Sequence, residues 1–211
     1  PVIVLVTLAA SRHLLPYGGD AGGKLLALPK GIVTFVGIIA CIAFLVEGAI
    51  MDWGGVFLTT VRHFDMALAG TGFTVFSAAM LTMRLLGDWT VQKLGQERVV
   101  IGGSLLAVAG FLFIIFAPTV VLLYLGFFFI GVGCANVVPV FFSLLGKQHV
   151  MPISLAVPAV STLGYLGILM GPAAIGFIAH QTSLYAAFML LAALVLLQAV
   201  IAAYVYRNIV D

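Results

Sequence analysis

Charge is what this chain has least of. Of its 211 residues, 8% are Asp, Glu, Lys or Arg, against 64% that are hydrophobic. A soluble domain carries about 25% charged residues, and without that polar cover this chain would aggregate in water. Its solvent is therefore lipid. Cysteine is scarce as well. Cys41 and Cys134 both lie inside apolar runs, where two separated thiols act as small packing residues rather than as a disulfide framework or metal pair. His13, His63, His149 and His180 fall in a linker or at the ends of apolar runs. They are too dispersed for a recognised metal spacing, so neither a metal nor a cofactor is expected. The sequence also lacks a Gly-x-Ser-x-Gly elbow, a His-Glu-x-x-His site and a Gly-x-x-x-x-Gly-Lys phosphate loop. Ser161 and His180 cannot pair as an intramembrane serine protease, because about 19 residues of one helix separate them by roughly 28 Å. No enzyme is expected. The net charge of +2 gives no ground for a nucleic-acid partner.

What the chain has in abundance is long apolar runs. A helix needs about 20 apolar residues to cross a hydrocarbon core of about 30 Å. Six segments qualify: residues 31–60, 67–87, 99–118, 120–146, 153–180 and 183–206. A membrane barrel would show alternating strands of about ten residues, whereas these runs are continuous and far longer. The fold class is an all-α membrane protein with six transmembrane helices. Residues 1–10 are apolar but too short to span, and they lack the basic region and cleavage site of a signal peptide. They read as the end of a preceding transmembrane helix, which makes the chain part of a longer protein. Residues 11–30 contain Gly18, Gly19, Gly22 and Gly23 and read as a linker. Residues 31–211 form the six-helix domain.

Orientation follows from the bias of Lys and Arg toward cytoplasmic loops. If the spans alternate, Arg12, Lys24, Lys30, Arg84, Lys93, Arg98, Lys147 and Arg207 share one side and Arg62 alone takes the other. The linker, the loop around Lys93 and the C-terminus are expected in the cytoplasm.

Two segments carry a family likeness. After the second run come Arg84, Gly87, Asp88, Lys93, Gly95 and Arg98. This stretch resembles the loop of the major facilitator superfamily, in which a helix ends at Gly-Asp before basic residues and a glycine. Trp89 stands where the family has a basic residue, and Asp88 and Gly95 are further apart than in the strict motif. That matches the looser second copy, between the family's eighth and ninth helices. In the fifth run, Gly164, Gly167, Gly171 and Pro172 resemble the family's glycine-rich GxxxGP helix, with Ile175 and Pro158 where further glycines are expected. Gly167 and Gly171 lie one turn apart and let another helix approach closely, while Pro172 frees a backbone carbonyl. The stretch from Glu47 to Trp53 is similar to the fucose-permease-like branch.

The resemblance implies that the six spans are helices seven to twelve of a twelve-helix fold, half of it built as a 3+3 inverted repeat. It implies a secondary transporter of the inner or plasma membrane, a symporter or antiporter, moving a small polar solute (sugar-like or drug-like) by alternating access with proton coupling. Its partners would be the lipid bilayer, the solute, protons and an N-terminal six-helix half. An isolated half could dimerise through its cavity face. The rival readings are a six-helix membrane scaffold and an oligomeric channel without coupled transport.

Ionisable residues inside a span cost roughly 2.5–3.5 kcal/mol at the helix centre and are functional candidates by default. Glu47, about 16 residues and roughly 24 Å into the first run, is expected in the outer half of the bilayer. It would couple protons or hydrogen-bond a polar substrate, or else be a structural carboxylate satisfied by a neighbouring helix or by Arg62 reaching inward. Gly48, Gly54 and Gly55 make this a candidate unwound segment. Asp52 lies further out. Asn136 and Tyr165 sit on polar helical stripes that either line a cavity or bond neighbouring helices. By the resemblance, Asp88 would latch a cytoplasmic gate formed with Arg84, Gly87, Lys93, Gly95 and Arg98.

Overall fold

The computed structural model describes residues 28–209. The preceding helix end at 1–10 and most of the linker at 11–30, with Arg12 and Lys24, lie outside the described residues. The elements are α1 (Ile32–Val56), a π-helical turn (Phe57–Val61), a 3-10 turn (Met66–Leu68), α2 (Thr71–Leu85), α3 (Gly87–Leu94), α4 (Gln96–Phe116), α5 (Val120–Cys134), α6 (Val137–Leu145), α7 (Ile153–Gln181) and α8 (Leu184–Ile209). Six helical spans result: Ile32–Val61, Met66–Leu85, Gln96–Phe116, Val120–Leu145, Ile153–Gln181 and Leu184–Asn208. No strand occurs among the described residues. Lipid offers no hydrogen bonds, so a spanning helix must satisfy its own backbone, and the long apolar runs do so.

Local chemistry sets the helix ends. Thr119 Oγ1 accepts from Leu122 N at 3.4 Å, Ser183 Oγ accepts from Ala186 N at 3.1 Å and Asp65 Oδ1 accepts from Ala67 N at 2.9 Å. Each closes a tight turn by capping the element that follows. Gly95 joins α3 to α4 at φ 85°, a left-handed conformation that glycine adopts without a Cβ clash.

The packing pattern reveals an internal repeat. The first span packs on the fifth, the second on the fourth, the third on the fourth, the sixth on the first, and the third on the sixth. Exchanging spans one, two and three for four, five and six maps these five most extensive pairings onto themselves, as a 3+3 repeat does.

Glycine seams bring three of these pairs to backbone contact, including α2 with α5, where Gly131 lies against the Phe76 carbonyl. Between α4 and α5, a methyl carbon at Gly110 would lie 2.6 Å from the Gly126 carbonyl oxygen, and one at Gly126 would lie 2.7 Å from that of Gly110. Between α1 and α7, Gly164 faces the Phe44 ring, Gly167 the Cys41 carbonyl and Gly171 the Leu45 side chain and backbone. The GxxxGP segment thus lies directly against the first span. Trp53 Nε1 donates to the Pro172 carbonyl at 3.0 Å, tying the same seam beyond Gly171.

Three expectations need correction. The fourth span is not one helix, because it breaks at Ala135 and Asn136. Pro139 has no N–H to offer the carbonyl of Ala135, four residues earlier, and the apolar run hides that interruption. The segment around Gly48 is not unwound. α1 continues through it, and Gly48, Gly54 and Gly55 are close-packing positions against Ile168, Phe127 and Ala69. The first span departs from α-helical geometry further along, at Phe57–Val61. The Asp88–Lys93 stretch, read as loop, is the short helix α3.

Candidate functional site

A cavity of about 290 Å³ opens between α1, α2 and α7, with Glu47, Phe73, Ser77, Arg84 and Ile168 among its walls. Its charged feature is a pair: Arg84 Nη2 lies 3.0 Å from Glu47 Oε1, the one salt bridge among the described residues. The Glu47 side chain is 18% exposed and that of Arg84 43%, so the carboxylate is the more enclosed partner. Arg84 Nε also donates to the Ala135 carbonyl at 3.3 Å. That is the acceptor which Pro139 leaves free, so the break in the fourth span helps to aim the guanidinium.

Glu47 is the sixteenth of the thirty residues of its span, at the middle of the helix rather than toward its outer end. Its partner is Arg84, not Arg62, whose guanidinium donates to the Ala117 carbonyl at the turn between the third and fourth spans. Arg84 itself belongs to the last turn of α2 and faces the cavity, so it is a wall residue more than a loop charge.

A second cavity, of about 310 Å³, lies on the other side of Arg84, beside Gly87, Asp88, Asn136 and Ser143. Asn136 is 6% exposed, and its Nδ2 donates to the Met83 carbonyl at 3.3 Å. It bonds α2 to the break in the fourth span. Gly87 packs so close that a methyl there would lie 2.6 Å from Asn136 Oδ1. Asp88 is exposed in the first turn of α3, where the helix dipole favours a carboxylate. Lys93 lies 4.9 Å from the centre of the Trp89 ring, a cation–π contact that gives the unusual Trp89 a local role. Arg98 and Asp52 are exposed and form no ion pair with another described residue. Tyr165 is 62% exposed and stacks on Phe44 at 6.1 Å between ring centres, and it does not line the Glu47 cavity.

The structure therefore brings Glu47 and Arg84 together and leaves Asp52 and Tyr165 apart from them. Sequence reasoning missed the Glu47–Arg84 pairing and the part played by Pro139. A proline within an apolar run, followed back four residues to its orphaned carbonyl, was the available signal.

Six apolar helices, with one charged pair at a cavity that opens between the first, second and fifth spans, define a multi-pass membrane protein with a charged pair at membrane depth. A sequence model of the Major Facilitator Superfamily matches residues 33–210, and the chain belongs to that superfamily. It is 43% identical over 196 residues to an uncharacterized MFS-type transporter of Yersinia pestis, covering 92% of this chain and 51% of the relative. It is 34% identical over 183 residues to an uncharacterized transporter of Sinorhizobium fredii, covering 87% and 48%. The chain spans about half the length of the curated relatives it matches. Its fold is similar to that of the POT family transporter PepTSo, with a TM-score of 0.69 at 22% identity, over 87% of this chain and 38% of that one. The peptide transporter POT in complex with sulfate gives a TM-score of 0.65 at 21% identity, over 93% and 41%.

Proposed function

We propose that this chain is the carboxy-terminal half of a secondary active transporter, moving a small polar solute by alternating access with proton coupling through Glu47. The observation that carries the reading is the Glu47–Arg84 pair at 3.0 Å, set in the wall of a cavity that opens at the side of an apolar bundle. Membrane-embedded charges are costly and mark ion or substrate pathways.

The burial pattern supports a missing second wall. Only 22% of the second span's most apolar window and 28% of the fifth's are buried, against 44–56% for the other four. These two spans flank the cavity, so an N-terminal six-helix half would cover them and close the site. The likeness to transporters about twice as long fits that arrangement. In this reading the linker at 11–30, Lys93, Lys147 and the C-terminus face the cytoplasm of a cell whose inner or plasma membrane holds the protein. Asp88, on α3, acts in the cytoplasmic gate.

The chain by itself then transports nothing, because one wall is absent, and its open face pairs with a second copy. Joined to its amino-terminal half in proteoliposomes, it should move protons inward with solute. Glu47→Gln keeps shape and hydrogen bonding but cannot cycle a proton, so it should abolish gradient-driven uptake while leaving solute exchange largely intact. Gradient-driven uptake at the wild-type rate by this variant, at matched protein level, would refute the proton role.

A further inference from the structure

Arg84 stands between two cavities, and its two anchors differ in kind. The Ala135 carbonyl holds Nε at 3.3 Å and stays an acceptor at any pH, while the Glu47 carboxylate holds Nη2 at 3.0 Å. An arginine remains charged throughout the range a cell reaches, but a glutamate can take up a proton. Neutral Glu47 would therefore leave a partly enclosed cation without its counter-charge. The charged or titratable groups facing Glu47 are Arg84 from α2 and the Cys134 thiol from α5. α7 brings Ile168 to the cavity, and α6 and α8, also packed on α1, contribute no charged side chain to its wall. The other carboxylate near Arg84 is Asp88, which lines the second cavity and is exposed at the start of α3.

We infer that the Glu47–Arg84 pocket takes an anionic solute, whose carboxylate, sulfonate or phosphate group occupies the Arg84 guanidinium in place of Glu47 as Glu47 takes up a proton. The inference rests on reading this cavity as the solute site and narrows the class of solute it accepts. A neutral solute would leave the Arg84 charge unanswered, and a cationic one would add to it. An anion matches the planar donor fork of arginine. Charge also balances. One proton from water forms an O–H bond on the Glu47 carboxylate as one monoanion enters, so the pocket holds the same net charge before and after. The cavity of about 290 Å³ is at the small end of ligand pockets, which fits a solute of a few carbons bearing one acidic group.

The test uses the chain joined to its amino-terminal half and purified in uncharged detergent micelles, with helical content checked by circular dichroism. The probe is methanesulfonate, monoanionic across the whole pH range, compared with dimethyl sulfone, uncharged and of the same shape. Ligand-observed NMR titration should show methanesulfonate binding at pH 5.5 and no binding of the sulfone. Because proton and anion binding are reciprocally linked, affinity should fall roughly tenfold per pH unit wherever Glu47 is ionised. Glu47→Gln should bind equally at pH 5.5 and 7.5, Asp52→Asn, at an exposed position outside both cavities, should keep the wild-type pH profile, and Arg84→Gln should lose binding. Should Arg84→Gln fail to fold, the contrast between Glu47→Gln and Asp52→Asn decides the matter alone. Absence of methanesulfonate binding by the folded wild-type protein at pH 5.5 would overturn the inference. So would a pH dependence kept in Glu47→Gln or lost in Asp52→Asn. Anion binding together with no uptake of any solute by the joined halves would refute transport alone. Uptake of a neutral solute with no anion binding would refute the anion assignment alone.

Discussion

Replacing Gly167 by alanine places a methyl carbon against the Cys41 carbonyl, while the same replacement at Gly102 meets nothing within 4 Å. Both glycines lie inside helices, α7 and α4, so the change in backbone entropy is shared. Alanine gains roughly 0.5–1 kcal/mol over glycine in a helix interior, and Gly102→Ala should be stabilised by about that much. At Gly167 the same gain is opposed by overpacking, which costs about 1–3 kcal/mol. The obstacle is backbone, so no rotamer change relieves it and the upper end applies. The two variants should then differ by about 3 kcal/mol, which is roughly 6–12 °C in unfolding midpoint at about 2–4 °C per kcal/mol for a chain of this length. Thermal denaturation in one detergent, followed by helical signal, measures both. Midpoints that shift in the same direction by the same amount would refute the claim that α1 and α7 meet at backbone contact.

Two further outcomes follow from the geometry. Gly87→Ala should destabilise the chain by about 1–3 kcal/mol through overpacking, and less so when Asn136 is also alanine, because the methyl would sit 2.6 Å from Asn136 Oδ1; additive denaturation effects in that double-mutant cycle would count against the contact. Single cysteines at positions 93 and 147, in a background with Cys41 and Cys134 replaced by alanine, should resist an impermeant reagent applied outside sealed cells, and one at position 62 should react. Labelling at 93 from outside would overturn the topology.

The six spans were legible because a helix in lipid must be apolar along its length, and composition alone records that. The seam at Gly164, Gly167 and Gly171 was legible for a related reason: only glycine allows such an approach, so its spacing is written in the chain. The break at Asn136 was not, since the run stays apolar through Val137, Val138 and Val140, and Pro139 was passed over. Glu47 was recognisable as a buried carboxylate, but its partner was not. Arg84 stands 37 residues away, beside a loop motif rich in charge, so it reads as one more cytoplasmic cation. Pro139 marks the orphaned carbonyl of Ala135 locally, but that this carbonyl meets Arg84, 51 residues away, is a consequence of tertiary packing that no local pattern carries.

The seams also decide which parts of the bundle can shift against one another. α1 and α7 are joined backbone to backbone, and so are α4 and α5. Each couple acts as one stiff plate, because neither helix can slide without driving main-chain atoms into its neighbour. α2 packs on the plate that contains α5. Glu47 belongs to the first plate, whereas Arg84 and the Ala135 carbonyl belong to the second. The ion pair is therefore one tie between two rigid panels that α8 also bridges by packing on α1 and α4, and whatever draws Arg84 away from Glu47 loosens the panels along the cavity side rather than merely rearranging two side chains.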